Sequence, residues 1–455
     1  MTAEDPDASF QAIFTGRRGR LLVGLLLAEF AAAAQGIAYS TVLPLASAEL
    51  HGANLYGATL AASTLSTILV LAVGSRWASA LGAKLTLLVA TAVFVAGVLF
   101  SALAPSMPWV LAGSVLRGLA AGLLAAFGLT AIGGLYNDAE RPRVLAMYAV
   151  IWLLPSILGP PLNAVIAVAW GWRWTMAWPV ILIIAARLLV ARDADVIPWS
   201  RDGARIDPVG GLTVVAGLAV ATAASGTRAT WWSVGLVTVG CLVATIAGIR
   251  TLRVLGHGAH LRLLVVFAGL AVAFFGGISL IPLMVIDALG HGVVAGSIAL
   301  GAGLLAWSVA GLVHATLPRA VAIGLSLVPI GLFIAAALLT EVLDRWPTLV
   351  GVVVASGVAG TGVGLSYPRL SSGAFDRLDP NWVNGMAAAV AFAEITGTAL
   401  GSLVGGGSYS MTVTAGGSAR LGVAIGLVLS GLFGVVTTAL WVSRRTVART
   451  GERLG

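Results

Sequence analysis

Apolar residues run along this chain in blocks of roughly 18 or more, broken by short polar stretches, over almost its whole length. Strands of a membrane barrel alternate apolar and polar positions, and these blocks do not. They predict bilayer-spanning helices, since a helix closes its own backbone hydrogen bonds where no water is available. Fourteen spans follow, at 21–47, 56–74, 85–104, 108–134, 144–168, 173–191, 208–225, 231–249, 262–287, 294–315, 319–340, 347–367, 384–406 and 419–443. The stretch ahead of the first, MTAEDPDASFQAIFTGRRGR, is acidic and then basic. The apolar run after it is too long for a signal-peptide core and lacks a convincing cleavage pattern, so it reads as a retained first helix.

Composition agrees with this picture. Of 455 residues, 59% are hydrophobic and 10% charged, against about 25% charged in soluble domains. The fold class is therefore all-α and integral to the membrane. A net charge of +8 would raise nucleic-acid binding in a soluble chain, but here the basic residues form short clusters between apolar runs. With the N-terminus inside, 21 of the 26 basic residues fall on the cytoplasmic side, four outside (Arg173, Arg228, Arg345, Arg420), and Arg117 within a span. This positive-inside bias predicts a multi-pass protein of the cell (inner or plasma) membrane with both termini cytoplasmic. It also supports an even number of spans, since dropping one would flip every later loop. Arg outnumbers Lys 25 to 1, an association with GC-rich bacterial genomes. The one cysteine, Cys241, lies inside an apolar segment and excludes an intrachain disulfide. There is no phosphate-binding loop and no His/Cys cluster at metal spacing, and the largest inner loop, 192–207, is too short for a catalytic domain. The expectation is no enzyme, no cofactor and no metal.

The ends of spans 1 and 9 resemble each other. STVLPLASAELHGANLYG begins at Ser40 and SLIPLMVIDALGHGVVAG at Ser279. Pro44-Leu45 matches Pro282-Leu283, an acid follows five residues after each proline (Glu49, Asp287), and a glycine opens the next helix (Gly57, Gly296). The match suggests two six-helix halves, 1–200 and 256–455, with two inserted helices at 201–255. Parallel repeats of this sort are a transporter signature and place the substrate path at their interface. Glu49 and Asp287 read as solvated end residues.

Four segments carry a resemblance to a family. LPSILGPPLNAVIAVAWGWRWTM, from Leu154, has Gly159-Pro160 followed by small residues and then Trp172-Arg173-Trp174. VLRGLAAG, from Val115, holds Arg117; RIDPVGGLTVVAGLAVATAASG begins at Arg205 and VGLSYPRLSSGAF at Val363. Together they resemble the major facilitator superfamily, specifically its fourteen-helix drug:proton antiporter branch. The resemblance implies a major-facilitator-type fold with proton-driven export of small molecules, and it puts Arg117 on helix four facing the central cavity near helix one. The chain also departs from the branch. SRWASALGAK keeps Gly82 and Lys84 but has Ser79 and Ala80 where the family carries an aspartate and an arginine. Gln35 stands in place of the first-helix aspartate, Ala120 in place of a glutamine, and Asn163-Ala164 in place of a glycine pair.

Glu29 and Glu394 are the two acids that fall within spans rather than in loops or at span ends. A charge at mid-span costs roughly 2.5–3.5 kcal/mol on insertion scales, so an acid there is satisfied or used. Glu29 lies roughly 12 Å into its span at ~1.5 Å per residue, with Ala33, Gly36 and Ser40 on its face. Balanced between burial and a nearby cation, it is a candidate for proton coupling or substrate binding. A buried, hydrogen-bonded structural acid, or one reaching the cytoplasmic interface, is the alternative. Glu394, with small neighbours Thr396, Gly397 and Gly401, stands between coupling and packing. Arg117 is placed to pair with an ionised Glu29, or to clamp backbone carbonyls. Gln35, Tyr39, Asn163, Trp307 and His314 are candidate cavity liners, though Trp and Tyr also anchor at interfaces and His314 lies near an inner end. Gly159, Pro160 and Pro161 form a conformational motif: two missing N–H groups soften helix five, as a rocking surface or as a packing notch.

Secondary active transport follows, as proton-coupled export of small amphipathic molecules or drugs by alternating access. The expected partners are a small-molecule substrate, protons and the lipid bilayer, with one chain as the working unit and no nucleic acid. A transporter of one metabolite or lipid-like product without conventional proton coupling is the alternative, given Gln35. A transport-inactive sensor or scaffold has no use for mid-span acids and a twofold repeat.

Overall fold

The computed structural model describes residues 14–73, 75–135, 147, 151, 153–194, 207–228, 230–255, 259–313, 317, 319–340, 345–375 and 383–451. Among them, fourteen helices are long and apolar enough to cross a membrane. They are α1 (Gly16–Glu49), α2 (Ala53–Val73), α3 (Gly82–Ala102), α4 (Met107–Leu124), α5 (Leu153–Trp170), α6 (Trp172–Asp193), α7 (Pro208–Ser225), α8 (Trp231–Val254), α9 (His260–Ala288), α10 (Val293–Val313), α11 (Ala320–Thr340), α12 (Trp346–Gly373), α13 (Ala388–Thr414) and α14 (Ala419–Ser443). They correspond one to one with the expected spans. The even number puts the start of α1 and the end of α14 on one side, the terminal face, with the far face opposite.

The packing repeats along the chain. Helix α1 packs on α5 and α6, α2 on α4, and α3 on α4 and α6; eight helices later α9 packs on α13 and α14, α10 on α12, and α11 on α12 and α14. Between the first six helices and the last six, the most extensive packing is α2 against α13 and α5 against α10, two seams. The α7–α8 hairpin lies along the first seam, α7 on α2 and α8 on α13.

Glycine makes these crossings possible, because packing between membrane helices depends on small residues that let backbones approach. A Cβ on Gly118 of α4 would collide with the backbone of Ser63 on α2. At the matching place in the second half, a Cβ on Gly360 of α12 would collide with Gly303 of α10. Large apolar side chains such as Val168, Ile181, Val239 and Leu312 stay more than half exposed, a surface suited to acyl chains. Gly82, before α3, has φ +75°, a conformation that a side chain disfavours.

On the far face, Glu49 accepts hydrogen bonds from Trp172 Nε1 at 2.7 Å and Arg173 at 2.6 Å. Asp287 accepts one from the Tyr409 hydroxyl at 2.7 Å. Both acids are exposed, as their end positions suggest. Each also ties a neighbouring helix down, because its partner's polar tip reaches past the helix end. On the terminal face, Arg17 and Arg20 of α1 converge on Asp193 at the end of α6, at 2.8 and 3.0 Å.

Candidate functional site

The two acids that interrupt apolar runs, Glu29 on α1 and Glu394 on α13, are both half-buried. They belong to different halves, yet their carboxyl groups lie near enough to act on one another electrostatically. Glu29 acts in the same way on Tyr367 of α12. The Tyr367 hydroxyl donates to Glu394 Oε1 at 2.9 Å, which fixes that carboxyl group between α12 and α13. Local sequence explains the fit. Pro368 follows Tyr367 and has no N–H to give to the Gly364 carbonyl, so α12 is softened one turn before the tyrosine while the helix runs on. On α13, Thr398 returns its hydroxyl to the Glu394 carbonyl at 2.9 Å.

Beside the acids lies an aromatic group. Tyr367 packs on Phe267 with ring centroids 4.9 Å apart and on Trp307 at 5.6 Å. Trp307 in turn meets Phe274 at 5.3 Å and Phe275 at 6.1 Å, both edge to face, the arrangement aromatic quadrupoles favour. A small apolar cleft opens among Phe267, Phe274, Phe275, Val363 and Tyr367.

Arg117 takes a different place. Its side chain is buried, its guanidinium stacks over the Tyr39 ring at 3.7 Å from the centroid, and one Nη donates to Ser114 Oγ at 3.2 Å. The Tyr39 hydroxyl and Ser114 Oγ share a hydrogen bond of 2.7 Å. Among the described residues these are its polar contacts, so the ion pair with Glu29 is not made in this conformation. Arg117 and Tyr39 are brought together, and so are Glu394, Tyr367 and Trp307, with Glu29 within electrostatic reach of the first two.

The other candidates are placed as follows. Gln35 is buried and donates from Nε2 to the Met176 carbonyl at 3.1 Å, binding α1 to α6. Asn163 is buried and accepts from Trp178 Nε1 at 2.9 Å, binding α5 to α6. Gln35 Oε1 and Asn163 Nδ2 are left buried without a hydrogen-bond partner. Helix α5 runs unbroken through Gly159, Pro160 and Pro161. A Cβ on Gly159 would sit 3.2 Å from Ile37 of α1, and Pro160 packs on Gly301 of α10, which places this motif at the α5/α10 seam. Pro161 is exposed. His314 lies outside the described residues. Tyr367 and Ser114 were not singled out by sequence; the Tyr-Pro step at the end of the expected twelfth span was the one available signal for the first.

Residues 25–406 match the family model of the Major Facilitator Superfamily. The chain belongs to the major facilitator superfamily. By sequence it is similar to a probable multidrug-efflux transporter of Mycobacterium tuberculosis, 28% identical over an alignment of 362 residues, covering 71% of this chain and 74% of that one. A multidrug transporter of Bacillus subtilis, MdtP, is 22% identical over 39% of this chain and 32% of its own. A crystal structure of a POT family transporter in complex with 5-aminolevulinic acid superposes with a TM-score of 0.65 at 13% identity, covering 93% of this chain and 95% of that one, a likeness of fold alone. As a major facilitator protein, the chain is a multi-pass membrane transporter of small molecules, in a family of transporters and not of enzymes.

Proposed function

We propose that this major facilitator protein exports small amphipathic molecules in exchange for protons, by alternating access. It works as a single chain in the cell membrane, with both termini cytoplasmic. The observation that carries the reading is that Glu29 and Glu394, from the first and the last six helices, lie within electrostatic reach of each other. Two ionised carboxyl groups held near each other repel, and the repulsion ends when either takes a proton. Because each stands on a different half, that change acts on the separation of the halves, the coordinate that alternating access alters. The ring faces of Phe275, Trp307 and Tyr367 beside the acids suit the apolar part of an amphipathic molecule. The multidrug-efflux names of the relatives support the same substrate class. The contact of Gly159-Pro160 with Ile37 and Gly301 supports a rocking surface there.

Gln35 favours a second reading, transport of one metabolite without proton coupling, since its amide is committed to the Met176 carbonyl and carries no titratable proton. Proteoliposomes with an imposed pH gradient separate the two. Wild-type protein is expected to move a cationic dye one way and protons the other, and Glu29→Gln to remove the response to the gradient. Dye movement that stays pH-dependent in Glu29→Gln refutes the coupling assignment, while flux of a single compound without proton movement favours the second reading.

A further inference from the structure

Helix α1 begins and helix α6 ends on the terminal face, and among the described residues the charges where they meet do not balance. Asp193, the last residue of α6, is buried and accepts from two guanidinium groups at the start of α1. Arg17 donates at 2.8 Å, and Arg20 donates from Nε and one Nη at 3.0 and 3.1 Å. Both arginine side chains stay about half exposed, 49% and 59%, so they reach outward while they hold the acid. A guanidinium has five N–H donors; Arg20 gives two of them to Asp193, and the rest remain for another acceptor. Arg192, beside Asp193, is exposed and makes no ion pair among the described residues. Below these charges the surface is apolar. On α6, exposure recurs at Ile181, Ile184, Leu188 and Arg192, one helix face that runs from apolar to cationic toward the terminal end. On α1, the exposed Val23 follows Arg20. The two helices touch closely there, since a Cβ on Gly24 would come within 2.8 Å of Val190. The matching junction of the second half, the start of α9 against α14, uses its arginine differently: Arg262 donates to the backbone carbonyls of Leu440 and Trp441.

We infer that the α1/α6 junction binds an anionic phospholipid of the leaflet on the terminal face. Its phosphate lies between Arg20 and Arg192, and its acyl chains run along Val23, Leu188 and Ile184. The planar fork of arginine matches a phosphate group, and basic sites between membrane helices take anionic headgroups. Asp193 gathers the arginines at one point, yet one carboxylate neutralises only one of them, so the site stays cationic with its acid in place. A soluble phosphate meets the charges alone, whereas a lipid also covers the apolar face that leads up to them. The inference does not rest on proton coupling, and its test needs neither substrate nor gradient.

The probe is Ile181→Cys in a Cys241→Ser background, labelled with a fluorophore and reconstituted in phosphatidylcholine nanodiscs. Ile181 is 73% exposed on the same face of α6, so quenching of its label reports which lipid lies there. Phosphatidylglycerol spin-labelled on its acyl chain is compared with phosphatidylcholine labelled in the same way, at equal mole fraction. With both arginines present, phosphatidylglycerol is expected to be enriched about tenfold or more at the label. Arg192→Gln is expected to lower the enrichment about fivefold, the preference for anionic lipid that one basic residue confers. Arg20→Gln combined with Arg192→Gln is expected to abolish it. Arg253→Gln, which removes an exposed arginine at the terminal end of α8, is expected to leave it unchanged. Should the double variant fail to fold, Arg192→Gln decides alone, because that side chain ties no helix among the described residues. Equal quenching by the two lipids, or a loss matched by Arg253→Gln, overturns the site. Displacement of the labelled lipid by glycerol 3-phosphate at constant ionic strength also overturns it and assigns the arginines to a soluble phosphate.

Discussion

Tyr367 answers to three neighbours at once: its hydroxyl is bound to Glu394, its ring is packed against Phe267 and Trp307, and it lies in the field of Glu29. Tyr367→Phe removes the first and keeps the second. Hydrogen bonds between membrane helices average about 0.6 kcal/mol and reach ~1.7, so the expected loss of unfolding free energy is of that order, read by denaturation in detergent micelles. The stability change is small, but Glu394 loses the donor that fixes its position. Transport by Tyr367→Phe is accordingly expected to show an altered pH profile at near-normal protein yield. An unchanged profile removes Tyr367 from the coupling group. Glu29 and Glu394 were legible in sequence because a carboxyl group in an apolar run is conspicuous and costly. Tyr367 was not, since its partner lies 27 positions away and a phenol in an apolar run has no local signature of what it binds. Gln35 and Asn163 were visible as polar residues, but their partners, a carbonyl on Met176 and a ring nitrogen on Trp178, come from a helix that only the fold brings beside them.

At the level of helices, hydropathy located all fourteen spans, because the bilayer imposes a minimum length on every one of them. Helix α12 runs past its expected end at 367 to Gly373, since Pro368 leaves one carbonyl without a donor and does not stop the helix. The π-helical turns at Met284–Ala288 and Leu403–Gly407 carry no hydropathy signal at all. Glycines mark helix crossings only when the partner is known, and α12 supplies the comparison. Gly360 rests on the backbone of Gly303, while Gly357, one turn earlier, faces open space. Gly360→Ala is expected to destabilise by about 1–3 kcal/mol through overpacking. Gly357→Ala is expected to stabilise by about 0.5–1 kcal/mol through backbone entropy. Opposite signs in thermal unfolding of the two variants check that the α10–α12 crossing is set by backbone contact. Equal effects would mean that the helices can separate to admit a side chain.

Over the whole molecule, the packing pairs of α1–α6 recur eight helices later in α9–α14, and the short sequence match between Ser40 and Ser279 has the same spacing of eight helices. The function proposed here uses the places where that repeat is broken. Glu394 is on α13, but its repeat mate helix, α5, carries Gly159, Pro160 and Pro161 and no acid; Glu29 is on α1, and its mate α9 carries aromatic rings and, apart from Asp287 at its end, no acid. One carboxyl group from the first six helices and one from the last six thus stand within electrostatic reach of each other. If the pair acts as one electrostatic unit, removing either charge abolishes the repulsion, and removing the second changes little more. Glu29→Gln and Glu394→Gln should then each flatten the pH dependence of dye efflux from proteoliposomes, and the double variant should match the more affected single variant. Residues in contact show such non-additivity, whereas independent sites add. Two effects that simply add would assign Glu29 and Glu394 to separate steps, and the interface between the halves would then need a different source of proton sensitivity.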